Sequence, residues 1–263
     1  MVHSKNNVLI ITEGGDTEVG FLNRFISVFK KEDIHIVPFR QNIKALFDLI
    51  SAYTIKGILP TSIIPILKAQ PTILPSDKLL LDMKYTDVFL IFDLDIQNSN
   101  QCSSMQNYLN YVEQLIEVFN DSTSRGQILI NYPMMESFRH MDNNKDPKYK
   151  SLKIPADCEF SKKYCNFLHN NKLDRDYNSL TRHDFNLLAA TNLKKANYVV
   201  VGTYTQPSKY DYEDNLTQRH IFEKQKDLII NHNSMFVLNT ALFFYVDLFG
   251  RELFFNPKKD YLY

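Results

Sequence analysis

The chain has 263 residues, 44% of them hydrophobic, with 30 Lys plus Arg against 30 Asp plus Glu. That length suits one large domain, or one domain with an extension, and is enough to bury a full core. A net charge of zero excludes a global field that attracts nucleic acid, so any such contact needs a local basic patch.

The first half alternates between strand and helix patterns. "NVLIIT" (7–12) is a continuous apolar run, as in a parallel strand buried on both faces. "DTEVGFLNRFISVFKK" (16–31) spaces Val19, Leu22, Phe25, Ile26 and Phe29 for a helix, with Asp16 or Thr17 as its cap. "IHIVPF" (34–39) predicts a second strand and "NIKALFDLISAYTI" (42–55) a second helix. "ILPTSIIPILKAQPTILPSD" (58–77) carries four prolines and predicts an insertion with at most broken turns. "TDVFLIFDLD" (86–95) is the third and most apolar strand, "SSMQNYLNYVEQLIEVFN" (103–120) a helix, and "GQILINYP" (126–133) the fourth strand. The order implies right-handed crossovers and a mostly parallel four-stranded sheet with helices on both faces, an α/β fold.

After residue 140 the character changes. "MDNNKDPKYK" (141–150) is polar and loop-like, and helical patterns follow in "FSKKYCNFLHN", "HDFNLLAATNLKKA", "DNLTQRHIFEKQKDLII" and "SMFVLNTALFFYVDLFG". "NYVVVGTY" (197–204) reads as a further strand. The division expected is a catalytic domain over residues 1–140 and a mainly helical extension over 141–263. The apolar stretch near the end must be covered, either by its own sheet or by another chain. In the second case Phe236, Leu242, Phe243 and Phe249 would form part of a dimer or docking surface.

Cys102, Cys158 and Cys165 are odd in number and lack metal-ligand or CxxC spacing, against a disulfide framework or structural zinc site. The apolar run after "MVHSKNN" is too short for a signal peptide. "MFVLNTALFFYVDLF" (235–249) is shorter than a membrane span and carries Asn239 and Asp247. A cytoplasmic protein without membrane contact is expected.

Acids mark the strand ends. Glu13 closes the first strand, Asp93 and Asp95 close the third, and Glu136 lies just past the fourth, in "NYPMMESF". Ligands of open parallel sheets sit beyond the carboxyl ends of the strands. Asp93 and Asp95, two apart, share a face if the strand continues. Clustered carboxylates raise one another's pKa unless a cation neutralises them. Oxygen donors without His or Cys suit Mg²⁺ or Mn²⁺, ions that commonly serve phosphodiester hydrolysis. Each acid also has a plainer reading, as a cap, a turn residue or a surface charge. Gly14-Gly15 can simply supply a sharp turn.

The strand ending in Glu-Gly, the helix opening in Thr-Glu and the later strand ending in Asp-x-Asp resemble the TOPRIM domain of topoisomerases, primases and OLD-type nucleases. "ITEGGDTEVGFLNRF" is similar to small RloB-like and OLD-related proteins of bacterial defence systems, and "NYPMMESF" to their Asn-Pro-x-x-Glu segment. The likeness spans roughly residues 7–140. It implies Glu13 as metal ligand or general acid/base, Asp93 and Asp95 as Mg²⁺ ligands, and Glu136 as an accessory acid or ligand. Gln97 stands where some relatives continue the acidic run, so a second metal site would be incomplete. The implied activity is a Mg²⁺-dependent nuclease acting on DNA or RNA, tRNA included. The implied setting is anti-phage defence, with an ABC/OLD-type ATPase subunit as partner. The alternative is a non-catalytic TOPRIM scaffold that binds nucleic acid or the ATPase.

Arg24, Arg139 and His140 are candidates for gripping phosphate, with solvated side chains or structural ion pairs as the other reading. His183 has no visible partner. Tyr108, Tyr111 and Phe119 lie at helical spacing and read as core. "FLIFDLDIQ" also resembles the haloacid dehalogenase phosphatase signature, but Ile96-Gln97 stand where that family has Gly-Thr. A sugar-nucleotide transferase would leave Glu-Gly-Gly unexplained. With no GxxxxGK[ST] or GxGxxG, the chain is neither its own ATPase nor a dinucleotide enzyme.

Overall fold

Val8–Thr12 (β1) has no polar residue before its last position, and all five residues are buried, so the strand is covered on both faces. Thr17–Phe29 (α1) follows, burying Phe21, Leu22 and Phe25 on one face. Ile34–Pro38 (β2), Ile43–Tyr53 (α2), the short helices Ile64–Lys68 (α3) and Pro75–Leu80 (α4), and Asp87–Asp93 (β3) come next. Met105–Val118 (α5), Asn120–Asp121 (β4) and Gly126–Asn131 (β5) complete the sheet. The computed structural model describes residues 7–54, 58–59, 61–141 and 148–255. Most of the polar loop expected over 141–150 lies outside them, as do parts of the proline-rich insertion. What is described of the insertion is two broken helical pieces, each with a proline at its start.

The sheet has five strands in the order β2-β1-β3-β5-β4. β2, β1, β3 and β5 run parallel and β4 is antiparallel to β5. The fifth strand is a correction to the expected four: two residues just before β5 fold back as a hairpin onto it. The chain moves from β1 to β2 on one side, then crosses to β3 on the other, so direction reverses between β1 and β3. Right-handed crossovers then put α1 and α2 on opposite faces. α2 packs on α5, with Phe47 and Tyr111 stacked at 4.2 Å, and Tyr108 and Phe119 are buried beneath.

The second half contains Lys153–Pro155 (β6), Cys158–Lys162 (α6), Tyr164–Asn170 (α7), Arg182–Val201 (α8), Lys209–Asn215 (α9) and Gln218–His232 (α10). It ends in Ser234–Phe236 (β7), Phe243–Tyr245 (α11), a π-turn at Val246–Gly250 and Arg251–Phe255 (α12). The strand expected at 197–204 is instead the end of α8. A capping box of Thr181 and Asp184 starts that helix, and Gly202, at φ 90°, stops it. Local β-preference of Val199–Val201 yields to a helix already running.

The apolar segment 235–249 is not one helix. Its backbone is diverted at 237–242 to hydrogen-bond the sheet: Leu238 bridges Tyr132, and Thr240 N and Ala241 N reach the Asn131 side chain. Phe236, Leu242 and Phe243 are buried within the chain and Phe249 packs against the core, so the segment is not the exposed docking surface considered above. One hydrophobic cluster runs from Val8 to Phe254 through both halves. Phe25 of α1 touches Phe185 of α8 and Phe244, at ring distances of 5.4 and 5.2 Å. The helical extension is thus packed into the sheet's own core. Among the described residues no helix is long and apolar enough to cross a membrane.

Candidate active site

Strand order reverses between β1 and β3, and in open parallel sheets the carboxyl edge at such a reversal is where ligands sit. Glu13 leaves β1 there, its backbone still bonded to Ile91 of β3 (3.1 Å). Its Oε2 accepts the N–H of Asp93 (3.1 Å), so the first and third strand ends are tied directly through an acid. Asp93 is the last residue of β3 and 9% exposed. Its Oδ1 accepts from Asn131 Nδ2 and its Oδ2 from Met135 N, both at 3.1 Å. Asn131 is aimed in turn by Thr240 N and Ala241 N, each 3.2 Å from its Oδ1. An amide whose oxygen is taken by two donors must present its nitrogen to Asp93.

Glu18, the acid of the Thr-Glu opening of α1, belongs to the same cluster, although it is not among the expected site residues. Its Oε1 accepts the N–H of Gly14 (3.0 Å), and it is 9% exposed. A Cβ on Gly14 would stand 2.8 Å from Glu18 Oε2, so the missing side chain makes room for that carboxylate. Its sequence signal is the Thr-Glu opening, which by itself assigns the acid no role. An acid in a helix's first turn ordinarily answers the helix dipole, and only the fold shows that it faces other acids. Glu136, in the 3₁₀ segment Met135–Met141, acts electrostatically on Asp93 and Glu18 and so joins them.

Asp95 sits differently. β3 ends at Asp93, so the condition for a shared strand face is not met. Asp95 caps the 3₁₀ turn Ile96–Gln101, accepting from Gln97 N (3.3 Å) and from the Gln97 side chain, and it also accepts from Ser161 Oγ of α6. Tyr108 Oη holds its carbonyl (3.2 Å). Its charge still acts on Glu13.

These groups disfavour one another's ionisation. Burial raises Glu13 to about 8, Glu18 and Asp95 add to the rise, and the Asp93 N–H opposes it. Burial pushes Asp93 well above the carboxylate range, and Glu13, Glu18 and Glu136 push it further, against the Asn131 hydrogen bond. Burial likewise raises Glu18. Among the described residues no ion pair reaches Glu13, Glu18, Asp93, Asp95 or Glu136. Glu13 keeps a partial opening to solvent.

Among the described residues no three His, Cys, Asp or Glu side chains are grouped so as to hold a metal ion. Mg²⁺, however, commonly takes one or two carboxylates and keeps waters for its other positions. Glu13 and Asp93, hard oxygen donors without a countercharge among the described residues, fit that demand.

The basic candidates divide. Arg24 donates through Nε to the Leu180 carbonyl (2.8 Å), which ties α1 to the segment before α8. Arg139 and His140 lie on the Met135–Met141 segment beside Glu136. Burial, with the charge of Lys195, lowers His140 to about 4, so it is neutral near pH 7. His183 is exposed at the start of α8. No protein-family model, curated protein or solved structure matches the chain.

Proposed function

We propose that the chain is a TOPRIM-like, metal-dependent nuclease that hydrolyses phosphodiester bonds of DNA or RNA. The observation that carries this reading is the acid cluster at the strand-order reversal, where the Glu13 carboxylate accepts the Asp93 backbone N–H at 3.1 Å and no ion pair reaches either acid among the described residues. Such clusters cost free energy unless a proton or cation relieves them, which suits a site that binds Mg²⁺ or Mn²⁺. Glu13 and Asp93 would hold the ion, which when bound supplies charge for the phosphate and lowers the pKa of water.

The chain's own residues do the rest. Asn131 and the Met135 N–H fix the Asp93 carboxylate, and Asp95, held by Ser161 and Gln97, contributes charge and orders the turn after β3. Glu13, partly open to solvent and raised to about 8 in the metal-free site, would give up its proton as an ion binds. Glu136 adds negative charge at the rim. Anti-phage action with an ABC/OLD-type ATPase in the cytoplasm belongs to the same proposal, supported by the sequence resemblance in 7–140.

Incubation of the purified protein with single- and double-stranded DNA, RNA and tRNA, with Mg²⁺ or Mn²⁺, tests the reading. Cleavage that falls at least about 100-fold in Glu13→Gln and Asp93→Asn supports it. Equal cleavage by parent and variants places the chemistry elsewhere.

A further inference from the structure

Beside the acids, Tyr164 Oη, His140 Nε2 and Arg139 Nε are buried and have no hydrogen-bond partner among the described residues. Buried polar atoms are nearly always paired, so orphaned groups on the Met135–Met141 segment and on α7 mark where an outside acceptor belongs. Tyr164 is 0% exposed, and its ring lies 5.8 Å from that of His140. Ser161, near the end of α6 and three residues before Tyr164 opens α7, already touches Asp95. Glu136 and Asp93 are among the charges that act on the Tyr164 hydroxyl. Arg139 acts on the neighbouring thiol of Cys165 against those two carboxylates, lowering what they raise.

Carboxylates together with N–H and O–H donors match the two needs of a phosphoryl group: a cation bridge and hydrogen-bond donors for its remaining oxygens. We infer that Tyr164 Oη, with His140 Nε2 and Arg139 Nε beside it, forms an oxyanion pocket for a non-bridging phosphate oxygen of the substrate. The inference rests on the phosphodiester reading of the acid edge. Tyr164 acts in it as a hydrogen-bond donor and not as a nucleophile. Burial above all, with the charges of Tyr149 and Glu136, keeps its proton in place.

Tyr164→Phe removes only the orphaned oxygen, so stability should stay level or rise slightly. Tyr132→Phe is the control. Its hydroxyl is also buried and unpartnered among the described residues, but burial alone acts on it and none of the clustered acids does. Binding of inorganic phosphate in Mg²⁺ buffer is measured by calorimetry. Phosphate should bind the parent and Tyr132→Phe alike and bind Tyr164→Phe at least about 10-fold more weakly. Equal affinity in Tyr164→Phe, or no binding by the parent, overturns the pocket. Oligonucleotide cleavage is read separately. A parent that binds phosphate through Tyr164 yet cleaves nothing loses the nuclease reading and keeps the pocket. A parent that cleaves while Tyr164→Phe matches it in phosphate affinity loses the pocket alone.

Discussion

At Glu13 the carboxyl stands at about 8 in the folded chain against 4.5 for the free group, so the folded state holds a proton that the unfolded state releases. The stability this contributes is full below about pH 4.5 and is lost as pH rises through about 8. Metal-free protein should therefore lose thermal stability across that window more steeply than Glu13→Gln, with Mg²⁺ restoring part of the loss at the upper end. Melting scans in chelator settle this, and parallel profiles for parent and variant would contradict it. Gly14 offers a second check. A methyl there would stand 2.8 Å from Glu18 Oε2, whereas at Gly15 it would meet only Arg40 Nε, at 3.9 Å. Gly14→Ala should displace Glu18 and lower cleavage about 10- to 100-fold with the fold intact. Gly15→Ala should cleave like the parent, and equal rates in both variants would remove Glu18 from the site.

Among elements, the loop at 239–241 reaches furthest into the site. Asn239 Nδ2 holds the Met135 carbonyl (2.9 Å), while Thr240 and Ala241 fix Asn131 against Asp93. Asn131→Asp would set a carboxylate against Asp93 and should cost at least about 2 kcal/mol in urea denaturation. A smaller loss would mean the amide is not needed to hold Asp93. The same loop shows where the sequence was silent. The strands through Asp93 and Asn131 were legible because apolar runs bounded by turns suffice to place buried strands. Glu13 and Asp93 were legible because strand ends are where parallel sheets put chemistry. The loop was not, since 235–249 carries the apolar content of a helix and only its distant partners, Tyr132 and Asn131, pull its backbone out of one. Residues 197–204 failed for the related reason that α8, started by its cap at Thr181, overrides local preference. Glu18 stayed hidden because an acid at a helix start looks the same whether it faces water or other acids.

At the scale of the molecule, one core joins the sheet to the helical half, so the second half supports the acid edge as much as the first. Phe243, 2% exposed, lies in that core. Phe243→Ala should cost about 3–5 kcal/mol in denaturant unfolding, while a residue kept for docking would cost far less. The core and the loop together hold Glu13 and Asp93 side by side, and the central claim is that these two carboxylates bind a divalent cation. Mn²⁺ binding followed by electron paramagnetic resonance on the nucleic-acid-free protein tests it most directly. The account predicts a bound Mn²⁺ that Mg²⁺ displaces and whose affinity falls at least about 10-fold in Glu13→Gln and in Asp93→Asn. Mn²⁺ affinity unchanged in both variants would contradict it.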